Sequence, residues 1–352
     1  MRAHLRRWAL ASLLLGLSGA QAAPLPSPVF CVFDFLGASG DLFGMVRDHA
    51  IAMQRHGVDL QLKGYSNEAA AVEAYAQGRC DALMATAFRT RAFNAAAASI
   101  DSLGATTIVR QGRVDIDASY EVFRKLVQTY ASPSPAVTRI MVSGPHEVAG
   151  IVPAGAAYPF VNDRRMNSVE SLAGKRIAAF DYDKAQAAMI QRIKARPVSA
   201  TIENFHQLFN QGRVDMIAAP TMAYKPLELD QGLGAQGGIS RFPILIVSYQ
   251  MVIRHERFPA GFGHLSRQYW MSQFDRARQL ISRADGSVPP QVWIPMEAED
   301  AVKYTRLLRD ARIDLAKQGL YDRRGLKVLK RIRCHVNGAD PDCGTPSEEV
   351  WD

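Results

Sequence analysis

One short sequence occurs twice in this chain and restricts the folds that it can adopt. Gln-Gly-Arg-x-Asp stands at residues 77–81 and again at 211–215, a spacing of 134 residues. In each copy an amphipathic segment ends at the Gly, which can take the left-handed conformation that closes a helix. A short apolar run follows, at 82–85 and at 216–219, and predicts a buried parallel strand. Each copy therefore reads as the second half of a βαβ unit, and together they predict two α/β lobes built on one plan, unless a common helix-to-strand turn recurs by chance.

The length of the chain agrees with two lobes. At about 150 residues per domain, 352 residues predict two domains, and 48% apolar with 22% charged residues is typical of globular proteins. We expect lobe 1 at 23–145 plus about 246–296, and lobe 2 at 146–245 plus about 297–335. Residues 336–352 form a polar tail that we expect to be loose beyond Cys343.

The first 22 residues have the pattern of a secretory signal peptide. Three arginines precede an apolar stretch from Trp8 to Leu17, and Ala20-Gln21-Ala22 matches a cleavage site. The stretch is too short to cross a bilayer, which takes about 20 apolar residues. Its removal lowers the formal charge from +8 to +5. The signal peptide predicts an exported protein of the periplasm, which we expect to be monomeric.

The four cysteines all lie in the exported part, and an even count in an oxidising compartment favours disulfides. Three pairings are possible. We favour Cys31 with Cys80, because the first two parallel strands of such a lobe are usually neighbours, and Cys334 with Cys343, which closes a short loop. A metal site is the alternative, but there is no Cys-x-x-Cys and only His335 is nearby.

Candidate ligand contacts follow from the ends of the predicted strands, because ligands of open α/β sheets lie at the carboxyl ends of strands. In the first lobe the candidates are Asp34, Ser39, Phe88, Arg89 and Arg91, and in the second lobe Asp181, Tyr182, Thr221 and Tyr224. The alternatives are a solvated surface for the two arginines, and a helix cap for Asp181 or Asp183.

Several further elements can be predicted along the chain. An apolar run ending at Ile253 is too long for one lobe and predicts a strand that crosses both. Residues 139–152 read as extended chain, and 264–283 as a single helix. Six basic residues between Arg323 and Arg333 have helical spacing and predict a solvated helix face rather than a nucleic-acid site.

Several of these segments resemble periplasmic solute-binding proteins of the tripartite ATP-independent (TRAP) transporter type. The motif Ser-Val-Glu-Ser-Leu-Ala-Gly-Lys-Arg-Ile at 168–177 resembles the entry to their second lobe, and 211–215 with Pro220 resembles the strand and ligand loop that follow. The opening at 30–44 looks like a subgroup of putative solute-binding proteins, some labelled as efflux-pump-associated. The resemblance implies a two-lobed type II periplasmic binding protein fold with a ligand cleft between doubly wound α/β lobes.

One departure from the TRAP pattern concerns the ligand. These receptors usually carry an Arg three or four residues after the Gly of this motif, and that Arg clamps the ligand's carboxylate. Ile177 and Ala178 hold those positions here. The acidic and aromatic residues 181–183 would suit an amine instead. The ligand class therefore stays open between an organic acid and an amine.

No motif in the chain indicates catalysis. The eight histidines form neither His-x-x-x-His nor His-Glu-x-x-His, and no nucleophile elbow surrounds Ser143. We expect no enzyme activity, no cofactor, no metal and no nucleic-acid partner. The sequence favours a receptor that captures a small solute and presents it to membrane transporter subunits. The alternative is an accessory subunit of an envelope transport or efflux assembly that has lost its ligand.

Overall fold

The computed structural model describes residues 27–351, so the predicted signal peptide lies outside the described residues. The helices are α1 (Asp41–Gln54), α2 (Glu68–Ala76), α3 (Ala87–Thr90), α4 (Ala95–Ala98), α5 (Ile116–Tyr130), α6 (Pro135–Met141), α7 (Lys184–Arg192), α8 (Phe205–Asn210), α9 (Leu229–Leu233), α10 (Phe262–Ser272), α11 (Phe274–Ser287), α12 (Ala298–Lys317) and α13 (Arg323–Val336). The strands are β1 (Val29–Phe33), β2 (Gln61–Tyr65), β3 (Ala82–Thr86), β4 (Val109–Arg110), β5 (Arg113–Val114), β6 (Val142–Ser143), β7 (His146–Val161), β8 (Arg176–Phe180), β9 (Arg196–Ala200), β10 (Met216–Pro220), β11 (Gly238–Ser240), β12 (Leu245–Arg254) and β13 (Trp293–Ile294).

The main sheet has two ends with the same topology. Its strands follow the order β2-β1-β3-β12-β7-β10-β8-β9. The first three strands are mutually parallel, as are the last three, and the long strands β12 and β7 lie antiparallel between them. At each end the first strand in sequence is central, the second is at the edge and the third adjoins a long strand. We call the β1–β3 end the first lobe and the β8–β10 end the second lobe. The two-lobed α/β fold is confirmed.

The repeated Gln-Gly-Arg-x-Asp motif performs the same structural task in both lobes. Gly78 and Gly212 have φ of +75° and +68°, the left-handed conformation expected after α2 and α8. Asp81 then accepts a hydrogen bond from the N–H of Val29 at 3.0 Å, at the start of β1. Asp215 accepts the equivalent bond from Arg176 at 2.8 Å, at the start of β8. The motif therefore joins a helix end to the neighbouring parallel strand.

The long strands connect the two lobes, as the apolar run before Ile253 predicted. One part of β12 pairs with β3, and β7 pairs with both β12 and β10. The lobes thus share one hydrogen-bonded sheet. Successive residues of β1 face different cores, because Phe30 and Val32 pack towards α1 and α10 while Cys31 and Phe33 pack on the other side. Both faces of the first lobe are therefore covered, as parallel strands require.

Two local predictions are wrong, and one strand was not predicted. Residues 135–141 form helix α6 before the extended chain begins, because Ser134 accepts a bond from the N–H of Ala136 and Pro135 starts the helix. The single helix predicted at 264–283 is two helices, since α10 ends at Ser272 and α11 begins at Phe274. The second lobe also has an edge strand, β9, that the sequence pattern did not indicate.

Both predicted disulfides are present. Cys31 in β1 is bonded to Cys80 just before β3, with 5.9 Å between their Cα atoms. Cys334 in α13 is bonded to Cys343 with 5.5 Å between Cα atoms.

Among residues 27–351, none of the helices has the length and apolar character that a membrane span requires.

The tail beyond Cys343 is packed, contrary to the prediction. The carboxylate of Glu348 is buried and contacts the guanidinium groups of Arg312 and Arg333, each at 2.7 Å. Lys330 donates to the carbonyl oxygen of Ser347 at 2.6 Å. The basic residues of α13 are therefore not simply a solvated face, because Lys330 and Arg333 are buried and hold the tail against the helix.

Candidate functional site

A cavity of about 260 Å³ lies between the two lobes at the carboxyl ends of their strands. The first lobe contributes Asp34 after β1, and Thr86 and Phe88 at the end of β3. The second lobe contributes Phe180 at the end of β8 and Asp183 after it. The shared strands and helix α12 complete the wall with Ala154, Ala157, Val247, Tyr249, Tyr304 and Leu308. The sheet is continuous, but the expected crevice between the lobes exists.

The wall of this cavity is mainly apolar. On the side of the second lobe it consists of aliphatic residues such as Ile177, Met189 and Ile190. The charged residues that line it are all carboxylates, namely Asp34, Asp41, Asp101 and Asp183. In the described part of the chain no Lys, Arg or His lines the cavity. The site therefore combines an apolar surface with negative charge.

Asp34 shapes the bend that follows β1. Its two carboxylate oxygens accept bonds from the N–H groups of Leu36 at 2.9 Å and Phe43 at 3.1 Å. Gly40 packs against this carboxylate so closely that an added Cβ would lie 1.9 Å from Oδ1. Only glycine fits at this position. Asp34 thus lines the cavity and also fixes the loop at its entrance.

Asp183 is both a helix cap and part of the cavity wall. Its Oδ1 accepts bonds from the N–H groups of Ala185 at 3.0 Å and Gln186 at 3.2 Å, at the start of α7. This capping role is the alternative that the sequence left open. Oδ2 accepts no hydrogen bond from the described residues. The side chain is only 7% exposed, so this oxygen is available mainly to an occupant of the cavity.

Arg89 connects the two lobes. Its guanidinium carbon lies 3.4 Å from the centre of the Tyr182 ring in the second lobe. On its other side Arg89 Nε is 3.8 Å from Oε2 of Glu68, a buried residue of the first lobe. Burial raises the pKa of Glu68 to about 7, partly offset by the N–H of Thr86, which donates to it at 2.7 Å.

Arg91 makes a second connection beside the cavity. Its Nη1 lies 3.8 Å from Oδ1 of Asp183, and its guanidinium is 5.0 Å from the Tyr321 ring. Asp101, which is buried in the cavity wall, accepts bonds from the N–H and the hydroxyl of Ser248. Burial raises the pKa of Asp101 to about 7, while the charge of Arg91 acts in the opposite direction.

The predicted site residues fall into three groups. Asp34 and Phe88 line the cavity, and Arg89, Arg91 and Tyr182 lie just behind its wall. The other four lie elsewhere. Ser39 and Asp181 are exposed, Thr221 bonds to Asp285 at 2.6 Å, and the Tyr224 ring packs beside Phe160. A ligand role for any of the nine stays a prediction.

Other residues of the wall were missing from the predicted site. Asp183 could have been found, because it lies three residues after the last residue of strand β8. Tyr249 is hidden in the long apolar run of β12, and neither Asp101 nor Tyr304 follows a strand of the main sheet. Only packing brings these residues to the cavity.

The positions of the usual TRAP arginine lie on the cavity wall. Ile177 and Ala178 both line the cavity with apolar side chains. Arg176, at the opposite end of β8, donates to Asp215 at 2.6 Å and to the carbonyl oxygen of Gly212 at 2.9 Å. Its guanidinium is therefore held at the amino end of the strand, away from the carboxyl end where the lobes meet.

Solved structures with the same fold are TRAP periplasmic solute-binding proteins. One from Desulfovibrio salexigens, with bound orotic acid, superimposes with a TM-score of 0.69 at 12% identity, covering 88% of this chain and 99% of that protein. Another from Roseobacter denitrificans, with bound β-D-glucuronate, gives a TM-score of 0.65 at 11% identity, covering 86% and 98%. At this identity the comparison establishes the fold.

Comparison with related sequences says more about the family of this chain than the fold comparison does. The chain is 36% identical over 317 residues to the probable solute-binding protein AdeT1 of Acinetobacter baumannii, covering 90% of this chain and 100% of the relative. It is 22% identical over 200 residues to the probable solute-binding protein AdeT2 of the same organism, covering 57% and 84%. The model of the family described as solute-binding protein AdeT 1/2 matches residues 47–348. The chain therefore belongs to the AdeT 1/2 family of solute-binding proteins.

Proposed function

We propose that the protein captures a small organic solute, an acid or an amine, in the periplasm and presents it to a membrane transporter without chemically changing it. The observation that carries the proposal is the cavity of about 260 Å³ whose wall comes from both lobes. A ligand that contacts both lobes favours the closed arrangement over the open one by the difference in its affinity for the two. Closure would then report occupancy to the membrane partner.

The alternative is an accessory subunit that kept the fold and lost its ligand. A plugged cleft and a large exposed apolar patch would favour that alternative. The cleft instead contains an open cavity. The large exposed apolar residues of the described chain lie on separate elements, and they are Leu36, Ile51, Val302 and Val350. These two features support the receptor.

Native mass spectrometry of protein purified from its host tests capture. We expect a co-purifying small molecule, which should rebind to protein that has been unfolded, dialysed and refolded. Ala218 lines the cavity, so Ala218→Phe should block rebinding while circular dichroism remains unchanged. Protein that never carries a small molecule, and that binds none from a host metabolite extract, would contradict the proposal.

Delivery to the transporter requires a separate test in cells. Host cells that lack the protein, converted to spheroplasts, should move the identified solute only after purified protein is added. The Ala218→Phe variant is the matched control, because it keeps the surface and loses the cavity. Equal transport with both proteins would contradict delivery and would favour the accessory role.

A further inference from the structure

The charge of the cavity distinguishes between the two ligand classes. Four carboxylates line it, and no basic side chain of residues 27–351 does. A cleft that carries one sign of charge attracts the opposite sign, and its low-dielectric walls strengthen the effect. A carboxylate ligand would enter a negative field here, whereas an ammonium would be attracted.

The two arginines near the cavity lie behind its wall and do not line it. Arg89 stacks on Tyr182 and approaches Glu68. Arg91 lies beside Asp183 and the Tyr321 ring. Nε of Arg89, and Nε and Nη2 of Arg91, are buried without a hydrogen-bond partner among residues 27–351. Neither side chain lines the cavity, however, so a ligand carboxylate inside it would not contact a guanidinium group in this arrangement.

One of the two carboxylate oxygens of Asp183 is available to a ligand. Oδ1 is occupied by the N–H groups at the start of α7. Oδ2 accepts no hydrogen bond from residues 27–351, although the side chain is 7% exposed and lines the cavity. Arg91 Nη1 lies 3.8 Å from Oδ1, so Oδ2 can still pair with a cation or a donor supplied by a ligand. The other buried carboxylates differ, since both oxygens of Asp34 and of Asp101 accept bonds from the protein.

The rest of the cavity wall suits a ligand that has an apolar body next to a positively charged group. The rings of Phe88 and Phe180, one from each lobe, meet edge to face with their centres 5.9 Å apart. Both line the cavity, together with Tyr249 and Tyr304. Aromatic faces attract ammonium groups, and the attraction grows when water is excluded. A sugar acid, which is covered with hydroxyl groups, would find few partners on the aliphatic side formed by Ile177 and Ile190.

We propose that the captured solute is an apolar amine, whose ammonium group pairs with Oδ2 of Asp183 and whose body packs between the aromatic and aliphatic walls. This inference rests on the proposed capture of a small solute in the same cavity. It names the ligand class by its chemistry, an ammonium group attached to an aromatic or aliphatic body.

Three probes with one apolar body test the inference by isothermal titration calorimetry. They are 3-phenylpropylamine, 3-phenylpropan-1-ol and 3-phenylpropionate, which carry a positive, neutral and negative end. We expect the amine to bind at least tenfold more tightly than the alcohol, and the carboxylate to bind weakest. Asp183→Asn keeps a good helix cap and removes the charge. It should weaken amine binding about tenfold and change alcohol binding less than twofold.

Asp115→Asn is the matched control. Asp115 caps α5 in the same way, by accepting a bond from the N–H of Ala118 at 2.9 Å, and it does not line the cavity. This variant should bind all three probes like the wild type. An equal loss of amine binding in both variants would mean that Asp183 acts through the fold, and would overturn the inference.

The remaining outcomes separate the ligand class from capture itself. Tightest binding of 3-phenylpropionate, or equal affinities for amine and alcohol, would overturn the amine and leave capture intact. If none of the probes binds, the charge of the co-purifying molecule tests the inference. A cation would support an amine ligand, whereas an anion or a neutral sugar would overturn it. Failure of every probe together with the absence of any co-purifying molecule would overturn both proposals.

Discussion

The buried carboxylate of Asp101 holds Ser248 at the point where the two long strands change register. It accepts the backbone N–H at 2.8 Å and the hydroxyl at 2.5 Å. The register shifts between Val247, which faces Gly155, and Ser248, which faces Pro153. A bulge of this kind frees backbone groups from the ladder and bends the strand. Asp101 also lines the cavity, so one side chain connects the ligand site to the irregular segment between the lobes.

Removal of the Ser248 hydroxyl should destabilise the protein. In Ser248→Ala the buried Asp101 loses one of its two donors, and an unsatisfied buried acceptor costs about 1–3 kcal/mol. The measurement is the free energy of unfolding in urea at pH 8. Ser272→Ala, which removes an exposed hydroxyl bonded to the carbonyl oxygen of Tyr269, should stay within about 0.5 kcal/mol of the wild type. Equal stability of both variants would mean that the Asp101 contact contributes nothing.

Stability should fall as the pH rises from about 5 to about 7. Burial raises the pKa of Glu68 and of Asp101 to about 7, so the folded protein binds protons that the unfolded chain has already released. Unfolding in urea across this pH range checks the slope, which Glu68→Gln should reduce. A flat profile between pH 5 and pH 7 would refute the prediction.

On the acid side, the stability should fall again because of Glu348. The charges of Arg312 and Arg333 outweigh the effect of burial and lower the pKa of Glu348 to about 2. The stabilising contribution of Glu348 is complete above about pH 4.5 and is lost as the pH falls towards 2.

The packed tail should be essential for stability. Glu348→Ala leaves the buried guanidinium groups of Arg312 and Arg333 without their carboxylate. Loss of one partner of a buried ion pair costs about 3–5 kcal/mol. Guanidinium chloride unfolding measures the loss. The neighbouring Glu349 is 3.8 Å from Arg331 in a partly exposed pair, so Glu349→Ala should change stability by less than about 1 kcal/mol. Similar losses in the two variants would argue against a specific role for the buried carboxylate.

The contact between Arg89 and Tyr182 should strengthen ligand binding from behind the cavity wall. Tyr182→Leu removes the aromatic face beneath the guanidinium, and a contact of this type is worth about 1 kcal/mol. Because the contact joins the lobes, affinity for the co-purified solute should fall about fivefold, with little change in melting temperature. The Tyr182 hydroxyl has no hydrogen-bond partner among the described residues, so Tyr182→Phe should bind normally. Unchanged affinity in Tyr182→Leu would show that the contact does not support the closed form.

The duplicated plan of the protein can be predicted from its amino-acid sequence alone. The recurring Gln-Gly-Arg-x-Asp motif, with glycines at positive φ and aspartates that bond the neighbouring strand, predicted two α/β lobes. The apolar run ending at Ile253 predicted a shared strand, and the cysteine positions predicted both disulfides. These features depend on helix ends, strand periodicity and turn chemistry, which are local and leave a pattern in neighbouring residues.

The side chains that form the cavity, and the packing of the tail, become apparent only in the folded protein. Asp101, Tyr249 and Tyr304 reach the same wall from distant parts of the chain. Glu348 looked like part of a loose polar tail because its two arginine partners lie 36 and 15 residues away. Thr221 and Tyr224 follow strand β10 as predicted, but they contact Asp285 and Phe160 and do not line the cavity. Burial and charge pairing of this kind arise between elements that meet only when the chain has folded, so no local pattern records them.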